Sequence, residues 1–138
     1  MVFRLNIQYV NPKTVSKPTG YTHTIKIEGL KSLVMISGQV SKNVEGEVVG
    51  EGNMEEQLRL AFKNLEANLD AAGASFKDVV KLNIYTTDMV AFRKALSEVG
   101  EDLPVGKVEN PPCQTWIEVK GLARPAYLIE IEAMAALE

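Results

Sequence analysis

The sequence predicts an α+β domain, a single mixed β-sheet with two helices on one face. Three observations lead there. Five or six short segments alternate apolar and polar residues with the period of a strand. Two segments carry apolar residues at helical spacing, one on each side of a strand. The order strand, strand, strand, helix, strand, helix, strand, strand contains no internal repeat, linker or low-complexity tract, so residues 1–138 read as one domain. Helices cover one sheet face and none remains for the other, which predicts self-association through the sheet.

Phe3, Leu5, Ile7 and Tyr9 alternate with Arg4, Asn6 and Gln8 and give the first strand. Residues 11–20 form a loop marked by Pro12, Pro18 and Gly20. Tyr21, His23, Ile25 and Ile27 then share one face of a strand that Gly29 ends. Residues 33–37 are an almost continuous apolar run, predicted as a strand buried on both faces. Gly38 and a polar hairpin around Glu45, Gly46 and Glu47 lead to Val48 and Val49. Asn53 caps the first helix, with Glu56 placed to complete a capping box. Leu58, Phe62, Leu65 and Leu69 form its buried stripe beside Ala61 and Ala72, and Gly73 suits the position after its end. Residues 79–86 set Val80, Leu82 and Ile84 against Lys81, Asn83 and Tyr85, the pattern of a further strand. Thr87 or Asp88 caps a second helix with the stripe Met89, Phe92, Leu96 and Val99. A loop over residues 100–110, containing Pro104 and Gly106, precedes the last two strands.

Hydrophobic content of 46% with 24% charged residues is that of an ordinary globular protein, and 138 residues suffice for a real core. The net charge of −3 leaves no electrostatic footprint for nucleic acid. No apolar run approaches a membrane span, and the N-terminus lacks the regions of a signal peptide. One cysteine excludes an intramolecular disulfide, and with one histidine it makes no Cys/His zinc site. The expectation is a cytoplasmic domain with no metal and no cofactor, and with neither nucleic acid nor membrane as partner.

The last quarter of the chain carries the chemistry. Residues 115–119 and 127–133 flank a turn built from Lys120, Gly121, Arg124 and Pro125. Ile129, Ile131 and Ala133 share one face of the final segment, which puts Glu130 and Glu132 together on the other. A partly buried carboxylate there serves as a general acid or base; spacing alone favours two solvated glutamates. Pro111 and Pro112 hold the approach to the first of these strands extended.

The run Pro111-Pro112-Cys113-Gln114-Thr115-Trp116-Ile117-Glu118-Val119, followed by Leu128-Ile129-Glu130-Ile131-Glu132-Ala133, resembles the C-terminal signature of the Rid family. These are the reactive-intermediate (imine/enamine) deaminases, known also under older labels as translation inhibitors or endoribonucleases. The resemblance extends to Gly20-Tyr21-Thr22-His23, Ile36-Ser37-Gly38-Gln39, Ala71-Ala72-Gly73, Asp78-Val79-Val80-Lys81 and Thr87-Asp88-Met89, in that order. It implies a chorismate-mutase-like fold assembled as a homotrimer with small-molecule clefts between subunits. Residues 100–110 depart from it, since the family usually continues the second helix there with aromatic residues.

The family pattern has Pro-x-Arg before the fifth strand, and the position of that arginine holds Gln114. An arginine fork grips a substrate carboxylate with two charge-assisted hydrogen bonds, worth roughly 1.5–3 kcal/mol each against roughly 0.5–1.5 kcal/mol for neutral ones. Glutamine therefore predicts an affinity for anionic substrates weaker by about tenfold or more. Arg124, on the nearby turn, is a candidate replacement, but a solvated loop arginine is the reading its position favours. By resemblance Glu130 positions or activates the hydrolytic water, Tyr21 and Trp116 line the cleft, and backbone groups at Gly38 and Thr115 orient the substrate. Glu132 matches a structural position. Trp116 suits subunit packing as well, Gly38 a bulge. His23 reads as a satisfied core histidine, and Cys113 as a packed interfacial thiol with no partner to make it a nucleophile. Gly50-Glu51-Gly52 is a helix entry; the glutamates around it would repel phosphate. The functions that follow are hydrolysis of imines or enamines to carbonyl compounds and ammonia, or a non-catalytic trimer that binds a small molecule or a partner. The old ribonuclease label fits the acidity poorly.

Overall fold

The computed structural model describes residues 4–138; Phe3, assigned above to the first strand, lies outside the described residues. The elements run β1 (Asn6–Val10), β2 (Thr24–Glu28), β3 (Ser32–Gln39), α1 (Met54–Ala71), β4 (Val79–Thr86), α2 (Met89–Val99), β5 (Cys113–Glu118) and β6 (Ile129–Leu137). This is the order read from the sequence. β3, β6, β4 and β5 lie side by side in one mixed sheet, in which only the β4–β5 pair is parallel. β1 and β2 pair with each other as a separate antiparallel ribbon, a finer partition than one sheet. The ribbon is tied to the entry of β5. Thr22 N–H donates to Pro112 O at 3.2 Å, and the Thr22 hydroxyl donates to Pro111 O.

Each helix starts where its cap demands. The Asn53 side chain accepts from Glu56 N–H at 3.1 Å and begins α1, whose residues Leu58, Ala61, Phe62, Leu65 and Leu69 are buried. Asn53 N–H itself goes to Gly50 O at 2.9 Å, so the cap has a single side-chain arm. Asp88 accepts from Ala91 N–H at 2.9 Å to begin α2, and the Glu118 carboxylate of β5 takes Met89 N–H at 2.8 Å. Phe92, Ala95 and Val99 bury the inner face of α2. Both helices lie on the sheet face that carries Leu82, Ile84, Ile129, Ile131, Ala133 and Ala135, and together these make the core.

Two expectations change. β3 is not buried on both faces: Leu33 is 51% and Met35 70% exposed, because β3 is an edge strand with a helix on one side only. His23 is not a core residue either. It precedes β2, is half-buried, and its Nε2 lies 2.7 Å from Ser16 O as a tie across the ribbon's loop. The loop over residues 100–110 is more ordered than a plain connection, with two short helical turns and a buried Leu103. No helix among the described residues is long and apolar enough to cross a membrane.

Candidate functional site

The sheet register sorts the expected site residues onto two faces. Gln114 stands beside Leu82, and Trp116 beside Ile84, so both project toward the helices. Glu130 stands beside Tyr85 and Glu132 beside Asn83, on the face that no helix covers. Thr115, beside Asn83, belongs to that open face as well.

On the helix side, Gln114 and Trp116 form one wall of a cavity of about 690 Å³. Phe62, Ile84 and Leu96 supply its apolar surface, Gly20 and Tyr21 a second wall, and Arg93 and Val105 also line it. Two hydrogen bonds fix the wall. Gln114 Nε2 donates to Gly20 O at 2.7 Å, and Gln114 Oε1 accepts from Trp116 Nε1 at 3.2 Å. Phe92 meets the Trp116 ring edge-on, with centroids 5.1 Å apart. Tyr21 packs edge-on against His23 at 5.2 Å. The structure thus brings Tyr21, Gln114 and Trp116 together, with Gln114 acting as a strut between β5 and the N-terminal ribbon.

On the open face the half-buried Glu130 carboxylate lies against Gly38. A Cβ built on Gly38 would sit 2.6 Å from Glu130 Cδ and 2.7 Å from Cγ, so only glycine leaves room for that carboxylate. The β3 ladder is irregular between Ile36 and Gln39, which is how Gly38 comes to face Glu130. Glu132 is held more firmly: its Oε1 accepts from Tyr85 Oη at 2.7 Å and from Asn83 Nδ2 at 3.1 Å. The Tyr85 phenol is pushed above its ordinary range, first by that bond to Glu132, then by burial and by the charges of Glu132 and Glu130. Glu132 is thereby committed to structure and Glu130 is left available.

The remaining candidates fall away from both places. Arg124 donates from Nη1 to Gly46 O at 2.9 Å and lies over the Tyr127 ring at 5.7 Å, so it ties two loops. The half-buried Cys113 thiol lies 3.6 Å from His23 O. Among the described residues no three His, Cys, Asp or Glu side chains converge as a metal would require. Sequence reasoning passed over Arg93, an exposed residue of α2 beside the buried stripe, where the pattern shows only a solvated arginine. It also passed over Gln57, fully buried, whose Nε2 donates to Gly50 O and Ala126 O and whose Oε1 accepts from Leu128 N–H.

Comparison with known proteins gives a consistent picture. A family model described as endoribonuclease L-PSP matches residues 13–137. A RutC family protein of Pyrococcus abyssi is 36% identical over 124 residues, covering 88% of this chain and 91% of that protein. A protein of Dermatophagoides farinae named 2-iminobutanoate/2-iminopropanoate deaminase is 30% identical over 106 residues, covering 76% of this chain and 78% of that one. Among solved structures, the Rid-family protein YyfB of Yersinia pestis superposes with a TM-score of 0.82 at 32% identity, over 96% of this chain and 99% of the other.

Proposed function

The chain belongs to the endoribonuclease L-PSP family, called also Rid or YjgF, and from that premise we propose that it is a homotrimer hydrolysing imines or enamines in clefts between subunits. One observation carries this reading. The cavity with Tyr21, Gln114 and Trp116 and the Gly38–Glu130 pair stand on opposite faces of a single subunit's sheet. A neighbouring subunit is what can bring Glu130 to the mouth of the cavity. The open face is suited to such a contact, since Leu33, Met35, Ile117 and Met134 are exposed upon it. The location in this reading is the cytoplasm.

The chemistry needs little. Water adds to the iminium carbon while Glu130 takes one of its protons. The resulting carbinolamine collapses when that proton passes to the departing nitrogen: the C–N bond breaks, Glu130 takes the hydroxyl proton and hands it to the ammonia, and a carbonyl compound and ammonium are released. Backbone groups at Gly38 and Thr115 orient the substrate, and no metal or cofactor enters the scheme.

Generating imines of several α-amino acids in situ and following ammonia release against the spontaneous rate tests the reading. Acceleration that Glu130→Gln removes is the expected result; no acceleration of any imine by a well-folded protein would sink it. A second reading, a trimer that binds a small molecule without turning it over, is favoured by Gln114, whose two polar ends are both occupied by the protein. Ligand binding without turnover is its signature.

A further inference from the structure

We propose that Arg93 is the anion anchor of the cavity, and that the ligand is an organic monocarboxylate with a branched or aromatic apolar body. The proposal rests on the reading above for its chemistry and stands apart from it for binding.

Among the residues lining the cavity, Arg93 alone carries a formal charge. No carboxylate among the described residues comes within ion-pair distance of it; the pairs present are Lys26–Glu28 and Arg59–Asp102. The rest of the lining is largely apolar, with Phe62, Ile84, Leu96 and Trp116 among it. A cation without an internal partner beside an apolar surface recognises a molecule with one anionic and one apolar end. The planar guanidinium fork suits a carboxylate in particular. Neither rival fills the role: Gln114 spans from Gly20 O to Trp116 Nε1, and Arg124 is bonded to Gly46 O. Four apolar side chains, Phe62, Ile84, Leu96 and Trp116, line the space that Arg93 shares, more than a methyl group would cover, which points to the larger apolar body.

Trp116 is the chain's one tryptophan, so intrinsic fluorescence reports directly on the cavity. Three probes separate the contributions: the α-keto acid with an isobutyl side chain, isobutyl methyl ketone, which lacks the carboxylate, and pyruvate, which lacks the apolar body. The isobutyl acid is expected to bind about tenfold more tightly than either of the others, and less tightly as ionic strength rises. Arg93→Gln, a change at an exposed position, is expected to weaken the acid about tenfold and leave the neutral ketone unchanged, with Arg93→Lys intermediate. Equal binding of acid and ketone overturns the proposal. So does an acid affinity indifferent to Arg93→Gln, or no response to any probe. The two readings fail separately. A protein that binds the acid through Arg93 yet hydrolyses no imine refutes the catalytic reading alone, and imine hydrolysis with an acid affinity unmoved by Arg93→Gln refutes the anchor alone.

Discussion

Glu130 and Gly38 are a matched pair, and that match makes the first prediction. Gly38→Ala places a methyl group 2.6 Å from the Glu130 carboxyl carbon, so the carboxylate must leave its position. Imine hydrolysis should fall at least about tenfold, with little loss of stability because only the outer part of one half-buried side chain must move, read by kinetics and by thermal unfolding. The neighbouring Tyr85 gives a pH prediction. Its phenol binds its proton more tightly folded than unfolded, so its contribution to stability is complete below pH about 10 and is lost as pH rises through the higher folded-state value. The difference between ultraviolet titrations of the native protein and Tyr85→Phe should show a phenol ionising later than free tyrosine, and an early or ordinary ionisation contradicts the Glu132 bond. The place of Glu130 on the open face was legible from strand alternation, and Gly38 from the family resemblance alone. Arg93 was not, since an exposed arginine beside a helical stripe reads as solvated until the loop over residues 100–110 folds against α2 and makes a cavity of the space.

At the scale of elements, one polar side chain of α1 ties the loop before that helix to the entry of β6. Gln57 satisfies three backbone groups, Gly50 O, Ala126 O and Leu128 N–H, from a fully buried position. Gln57→Leu keeps the apolar bulk and strands all of them, so denaturant unfolding should show a loss of about 1–3 kcal/mol or more. Asp88→Ala, which removes the α2 cap, should cost about 1 kcal/mol. Both helices were readable because cap and stripe agree at each of them. Gln57 was not, because a polar residue at the edge of an apolar stripe has no sequence sign of burial. β3 was misread in its burial for a related reason: an apolar run records that a face avoids water without saying whether its own chain covers it. The end of β6 was missed because alternation breaks at Ala135 and Ala136, both buried beside the register shift between Val79 and Lys81.

The whole molecule has one sheet face packed by helices and one that is not, and the proposed function depends on what meets the second. Met35, 70% exposed on that face, is the position to test. Met35→Asp should shift the sedimentation coefficient from trimer toward monomer without unfolding the subunit, since nothing in the core rests on it. A shared site also makes a claim that mass alone does not test, namely that catalysis takes Glu130 from one subunit and the cavity from another. Two variants divide it: Glu130→Gln removes the carboxylate and keeps the cavity, and Leu96→Trp fills the cavity and keeps the carboxylate. Each should be inactive alone. Co-refolded in equal amounts, they should recover about a quarter of the native rate of imine hydrolysis, because random assembly joins the two intact halves at about one interface in four. A mixture no more active than its components, measured on trimers confirmed by sedimentation, would contradict the shared site.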